Sequence, residues 1–163
     1  MLNSTIATRG IAVAPHSLAA QSALDVLREG GNALEAMIAA AATIAVVYPH
    51  MNAIGGDGFW VISRPGFAPG GIDAAGKSAQ KASIDWYAQQ GITSHIPPRG
   101  PMAALTVAGT VSGWGKAHDL AKSAGGRLPL SRLLADAIHY AEDGIEVTPS
   151  QSNLTTKKLA ELK

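Results

Sequence analysis

The stretch GGNALEAMIAAAATIAVVYPH, residues 30–50, decides how the chain reads. Gly30-Gly31 ends whatever helix precedes it, because glycine takes the left-handed closing conformation without a Cβ clash. Asn32 and Glu35 have the spacing of a capping box, in which the Asn side chain accepts from the N3 amide and the Glu reaches back to the N-cap amide. From Ala33 to about Val47 the pattern is apolar on every face, and a helix without a polar face is buried on all sides. Pro49 stops it. The most apolar run, Ala36 to Tyr48, has 13 residues, whereas a bilayer span needs roughly 20. The expectation is a helix sandwiched inside a layered protein, with more chain around it than these 163 residues supply.

Upstream, Ile11 to Ala14 reads as a short buried strand stopped by Pro15. Ser17 then caps a helix that carries Leu18, Ala20, Leu24 and Leu27. Downstream, the glycine turn Gly55-Gly56-Asp57-Gly58 leads into Phe59-Trp60-Val61-Ile62, a strongly β-prone run. Pro65 to Gly71 turns the chain, and Gly71-Ile72-Asp73-Ala74 returns as the second arm of a hairpin. Ser83 caps a short helix that runs through Gln90 and ends at Gly91. Residues 96–101 are a Pro/Gly-rich loop. Leu105 to Ala108 reads as a strand entering Gly109-Thr110-Val111-Ser112-Gly113, and a helix follows to Ala124. Leu133, Leu134, Ala137, Ile138 and Ala141 give one amphipathic helix ended by Gly144. Thr148-Pro149-Ser150 starts a last helix still running at Lys163. No repeat, low-complexity tract or linker interrupts residues 1–163, which read as a single partial domain.

The bulk chemistry narrows the function classes. The hydrophobic fraction is 47%, the charged fraction 15% and the formal charge +1. That composition is globular, and it carries neither the basic footprint of a nucleic-acid binder nor a polybasic membrane patch. With no cysteine, disulfides and thiolate metal sites are excluded. No basic segment followed by an apolar segment opens the chain, so no signal peptide is read and a cytoplasmic location is expected, although exported proteins can also lack cysteine. His16, His95, His118 and His139 show no metal-binding spacing, and no metal or cofactor is expected. His50, beside Pro49, is read as a histidine bonded to backbone at a helix end, with a general-base role as the rival. The glycine turn at 55–58 lacks both the dinucleotide and the P-loop pattern.

Several segments in order resemble one family. His16-Ser17-Leu18-Ala19-Ala20-Gln21 through Leu27-Arg28-Glu29-Gly30-Gly31-Asn32-Ala33 is similar to the opening of γ-glutamyltransferases. So are Val47-Tyr48-Pro49-His50 and Ile54-Gly55-Gly56-Asp57-Gly58-Phe59. Ala108-Gly109-Thr110-Val111-Ser112-Gly113 resembles that family's PGTV-x-G segment with alanine in place of proline. Leu128-Pro129-Leu130 and Leu133 to Gly144 resemble the helix beyond it. The likeness covers about Ile11 to Pro149. It implies the N-terminal part of a four-layer αββα N-terminal-nucleophile hydrolase (α/β in the α+β sense), incomplete on its own. It also implies a proenzyme that cleaves itself, so that a new N-terminal Thr serves as nucleophile and base. A hydroxyl needs such a base, and a free α-amine with a pKa near 8 can serve. Thr5 and Thr8 precede the first expected strand, and no catalytic residue is expected in this chain. Its expected partners are the remainder of the large subunit, the small subunit bearing the Thr, and a small amide substrate.

The departures from that family bear on substrate. The resemblance implies an Arg, gripping a substrate carboxylate, at the end of the strand equivalent to Gly71–Ala75. Here Ala75 occupies that position and cannot do so. Lys77, two residues on, either replaces the Arg or is a solvated surface charge. Asp73 either lines the pocket or pairs within the sheet. Asp57 is read as an acceptor of backbone hydrogen bonds in its glycine turn, with an acid–base role as the rival. The Asp of Gly-Gly-Asp-Gly and Trp60 resemble the oxamate amidohydrolase branch more than the glutathione-processing members. The substrate expected of the parent protein is thus a small amide such as oxamate, or a γ-glutamyl amide such as glutathione. The alternative is a catalytically inert truncated relative that acts as a structural or binding module.

Overall fold

The computed structural model describes Ser4 and residues 6–161, which form two compact units: one from the segments up to Ala53 and from Gly115 onward, the other Ile54–Trp114.

The first unit is built on α2 (Ala33–Val47). Its capping box is complete. Asn32 Oδ1 accepts from Glu35 N at 3.0 Å, and Glu35 Oε2 accepts from Asn32 N at 2.7 Å. Ile38, Ala39, Thr43 and Val47 are fully buried. α2 packs against α1 (Ser17–Arg28), α5 (Leu130–Leu133) and α6 (Ala135–Asp143). Small residues permit this closeness. Ala19, Ala23 and Val26 of α1 are buried, and Thr43 donates to Ser22 Oγ at 3.0 Å, which in turn donates to Leu18 O at 3.1 Å. Buried hydroxyls are tolerated because each has a partner.

Glu35 does more than cap. It is fully buried, and its second oxygen, Oε1, accepts from Leu128 N at 2.8 Å. Asn32 Nδ2 meanwhile donates to Ala121 O at 2.9 Å, and His118 Nε2 donates to Leu128 O at 3.0 Å. The start of α2 is therefore stitched to the end of α4 (Thr110–Ser123) and the loop after it. Gly126 passes so close that a Cβ there would lie 2.7 Å from Glu35 Oε1.

The second unit holds an antiparallel hairpin of β1 (Gly58–Ile62) and β2 (Gly70–Ala74), with Gly58 opposite Ala74 and Trp60 opposite Ile72. Gly66 turns the chain at φ +81°, and the Arg64 guanidinium lies 3.4 Å above the Phe67 ring. Trp60 and Ile62 are half-buried, while Phe59 and Val61, on the opposite face, are 70% and 91% exposed. α3 (Ile84–Gln89) is capped by Ser83, whose Oγ accepts from Trp86 N at 3.2 Å. Tyr87 is buried beneath it and donates to Met102 O at 3.1 Å.

Five sequence expectations change. Ile11 to Ala14 form no strand: no described strand pairs with them, so Ile11 and Val13 lie exposed. The N-cap of α1 is His16, whose Nδ1 accepts from Leu18 N, rather than Ser17. Leu105 to Ala108 make a single bridge, Ser78 to Thr106, not a strand. The helix expected across Leu133 and Leu134 is two helices, interrupted at Leu134, where ψ is −7°. The last helix, α7 (Pro149–Lys158), tightens to a 3₁₀ turn at Leu159–Glu161, and Lys163 lies outside the described residues.

Candidate functional site

The segment that leaves β2 carries the positions singled out for substrate contact. Asp73 is exposed, and its Oδ1 accepts from Ala75 N at 3.0 Å, closing a short turn on itself. Ala75 is exposed and Gly76 half-buried. Lys77 is exposed, and its carbonyl accepts from Val107 N at 3.0 Å. Two residues later Ala79 N donates to Leu105 O at 3.2 Å. Residues 77–79 are thus pinned to 105–107 through backbone alone, which leaves the Lys77 ammonium free to face outward.

Asp57 holds the same segment from another direction. Its Oδ1 accepts from Gly76 N at 3.0 Å, across 19 positions of sequence. The bond reaches out of its own glycine turn rather than closing it. The turn itself is anchored by the first residues of α4. Gly109 N and Thr110 N both donate to Gly56 O at 3.0 Å, and Thr110 Oγ1 lies 2.7 Å from that carbonyl and 3.0 Å from Asp57 O. These two amides are satisfied by the chain itself.

Glycine makes the arrangement possible. A Cβ on Gly76 would lie 1.5 Å from Val107 O, and one on Gly109 would lie 2.0 Å from Ala74 O. One on Gly113 would lie 2.8 Å from Ala74 Cβ. Backbone therefore packs directly on backbone where β2 meets the start of α4. The sequence reading found the glycines of 55–58 and 109–113 but not the partnership between them. The signal was available in the four-residue spacing of Gly109, just before α4, and Gly113, in its first turn, which stacks one above the other.

Other candidates resolve into structural roles. Among the described residues there are two Ser–His contacts, Ser150 Oγ to His50 Nε2 at 3.3 Å and Ser94 Oγ to His95 Nδ1 at 3.0 Å. A nucleophile–base pair needs a third group to orient the base. His50 Nδ1, buried beside Tyr48, has no partner among the described residues, and the His95 pair is exposed. Among the described residues no three His, Cys, Asp or Glu side chains gather as a metal site, and no helix is long and apolar enough to cross a membrane. Thr8 is exposed, and Thr5 lies outside the described residues. A separate groove of about 520 Å³ lies between α3 and residues 92–96, lined by Tyr87, Ile92, Ile96 and Leu105.

Comparison with known proteins gives the family. The Gamma-glutamyltranspeptidase family model matches residues 19–163. The oxamate amidohydrolase proenzyme of Klebsiella pneumoniae is 60% identical over the whole chain, which covers 30% of that protein. A glutathione hydrolase-like proenzyme of Bacillus subtilis is 38% identical over 98% of the chain, covering 29% of its own length. The crystal structure of Helicobacter pylori γ-glutamyltranspeptidase superimposes with a TM-score of 0.81 at 30% identity, over 96% of this chain and 44% of that one. The chain spans about 30% of the curated relatives it matches, and its mixed helix–strand fold is that of part of an N-terminal-nucleophile hydrolase. The chain belongs to the γ-glutamyltranspeptidase family.

Proposed function

We propose that these residues are part of the large subunit of an amide hydrolase whose nucleophilic Thr lies on a segment outside them, and that its substrate is a small amide acid of the oxamate type. The observation that carries the substrate reading is the end of β2. Ala75 stands where the family resemblance implies a carboxylate-gripping Arg, and its backbone is held by Asp73. Lys77 follows two positions later, exposed and without an ion-pair partner among the described residues. The 60% identity to a protein named for oxamate supports the same choice.

On this reading the chain binds and orients, while chemistry comes from the partner segment. The Thr hydroxyl attacks the amide carbonyl and its proton passes to the Thr's own amine; the tetrahedral adduct then expels the nitrogen as ammonia with that proton, leaving an acyl-enzyme ester that water hydrolyses. Oxamate would yield oxalate and ammonia. Lys77 supplies the positive charge that a substrate carboxylate needs. A lysine is a compact point charge without the fork of a guanidinium, which suits a substrate smaller than a γ-glutamyl group.

The test is to assay the full-length protein on oxamate and on γ-glutamyl-p-nitroanilide side by side. Turnover of oxamate with little γ-glutamyl transfer is expected. Activity confined to the γ-glutamyl compound would remove the substrate assignment and leave the family reading intact. The 163-residue polypeptide alone is expected to turn over neither compound.

A further inference from the structure

We infer that Asp57 is a specificity-positioning residue: its carboxylate fixes the backbone at Gly76 and so sets where the Ala75–Lys77 wall meets the substrate's carboxylate. The inference rests on the Lys77 reading above and extends it to a residue far off in sequence.

Three hydrogen bonds hold this wall. Asp73 holds the Ala75 amide, and Val107 holds the Lys77 carbonyl. The bond in between, from Gly76 N to Asp57 Oδ1, is the one that a side chain outside β2 and its exit supplies among the described residues. Position 76 has no side chain and cannot gain one, since Val107 O occupies the space of its Cβ. Packing of a side chain therefore cannot fix the orientation of this peptide, and the hydrogen bond to its N–H must do so. Asp57 is well suited to this. It sits between Gly56, whose carbonyl is bound by the first residues of α4, and Gly58, the first residue of β1. Its main chain is anchored before its side chain reaches out. A charged acceptor also makes the stronger bond to an amide. Without it the peptide between Ala75 and Gly76 keeps its neighbours' bonds but loses its own, and the approach of Lys77 is less closely fixed.

A residue that places a binding group, and does not build the fold as a whole, affects binding of the substrate that uses that group. The experiment is steady-state kinetics of the full-length, matured protein as wild type, Asp57→Ala, Asp57→Asn, Lys77→Met and the double variant Asp57→Ala/Lys77→Met. Each is measured on oxamate and on oxamide, which has the same size and lacks the carboxylate. For Asp57→Ala we expect KM for oxamate to rise about tenfold with kcat within about twofold, and both constants for oxamide to change by less than about twofold. Asp57→Asn keeps an acceptor oxygen and should recover most of the loss. In the Lys77→Met background, Asp57→Ala should add less than about twofold, because the two act through one contact.

An equal loss of kcat on both substrates, or an unchanged KM for oxamate, overturns the inference. The failures are separable. If Lys77→Met raises KM and Asp57→Ala does not, Asp57 falls and Lys77 stands. If Asp57→Ala raises it and Lys77→Met does not, the carboxylate partner is another group, while Asp57 stands through the Ala75–Gly76 peptide. Should Asp57→Ala fail to mature, Asp57→Ser, with its shorter reach, takes its place under the same criteria.

Discussion

A buried carboxylate is costly unless every lone pair it turns inward is met. Glu35 has a backbone amide on each oxygen, those of Asn32 and Leu128, and no cation among the described residues. Removing it leaves two buried donors unpaired, so Glu35→Ala should destabilise the protein by about 3 kcal/mol, read as a fall in urea midpoint. Glu35→Gln keeps one acceptor oxygen and should cost about half as much. Gly76→Ala is a stricter case, because backbone must move to admit the methyl group. A loss of about 3 kcal/mol or more, or failure to mature, is expected on a thermal melt. At the surface, Arg132 forks onto Glu29 and holds that carboxyl below its ordinary value of 4.5, chiefly through their side-chain hydrogen bonds. A depressed folded-state pKa adds stability above the ordinary value and loses it as pH falls through the folded one. The pair is exposed enough for solvent to screen it, so its contribution is small, about 0.5 kcal/mol. Wild type and Arg132→Met should therefore differ slightly at neutral pH and converge as the melt is repeated below pH 4.5.

Elements with a local cause were readable. α2 was legible end to end because the capping box, the apolar run and Pro49 each act within a few residues. Ser83 announced α3, and Pro65–Gly71 announced the hairpin, for the same reason. Elements whose cause lies elsewhere were not. Ile11 to Ala14 looks like a strand by residue type, but a strand exists only with a partner. Leu105 to Ala108 pairs with residues 77–79 at one antiparallel bridge and goes no further, since Gly109 leads straight into α4. The candidate site divides in the same way. Ala75 and Lys77 followed from the resemblance, whereas the reach of Asp57 to Gly76 spans 19 positions and has no local signature. At this scale the core of α2 makes its own prediction. Ile38 is fully buried, and Ile38→Ala should lower stability by about 2–5 kcal/mol, measured by chemical denaturation of the full-length protein.

For the molecule as a whole, the apolar side chains that find no cover matter most. Phe59 and Val61 on one face of β1 are 70% and 91% exposed, and Ile54, Phe67 and Val107 of the same unit are exposed too. Apolar area of that kind drives association. The 163-residue polypeptide expressed alone should bind a hydrophobic dye and elute as aggregates, and a monodisperse species with a sharp, dye-free melt would contradict this. The first unit is also discontinuous in sequence, with Ile54–Trp114 lying between its halves. Its closing bond, from Leu128 to Glu35, joins residues 93 positions apart. During synthesis on the ribosome, at about 5–20 residues per second, Glu35 emerges several seconds before the amide that will hold it. Throughout that interval the nascent α2 lacks its seat on the loop after α4, although the Asn32 half of its cap can already form. The carboxylate at the head of α2 therefore waits for the chain to come back to it.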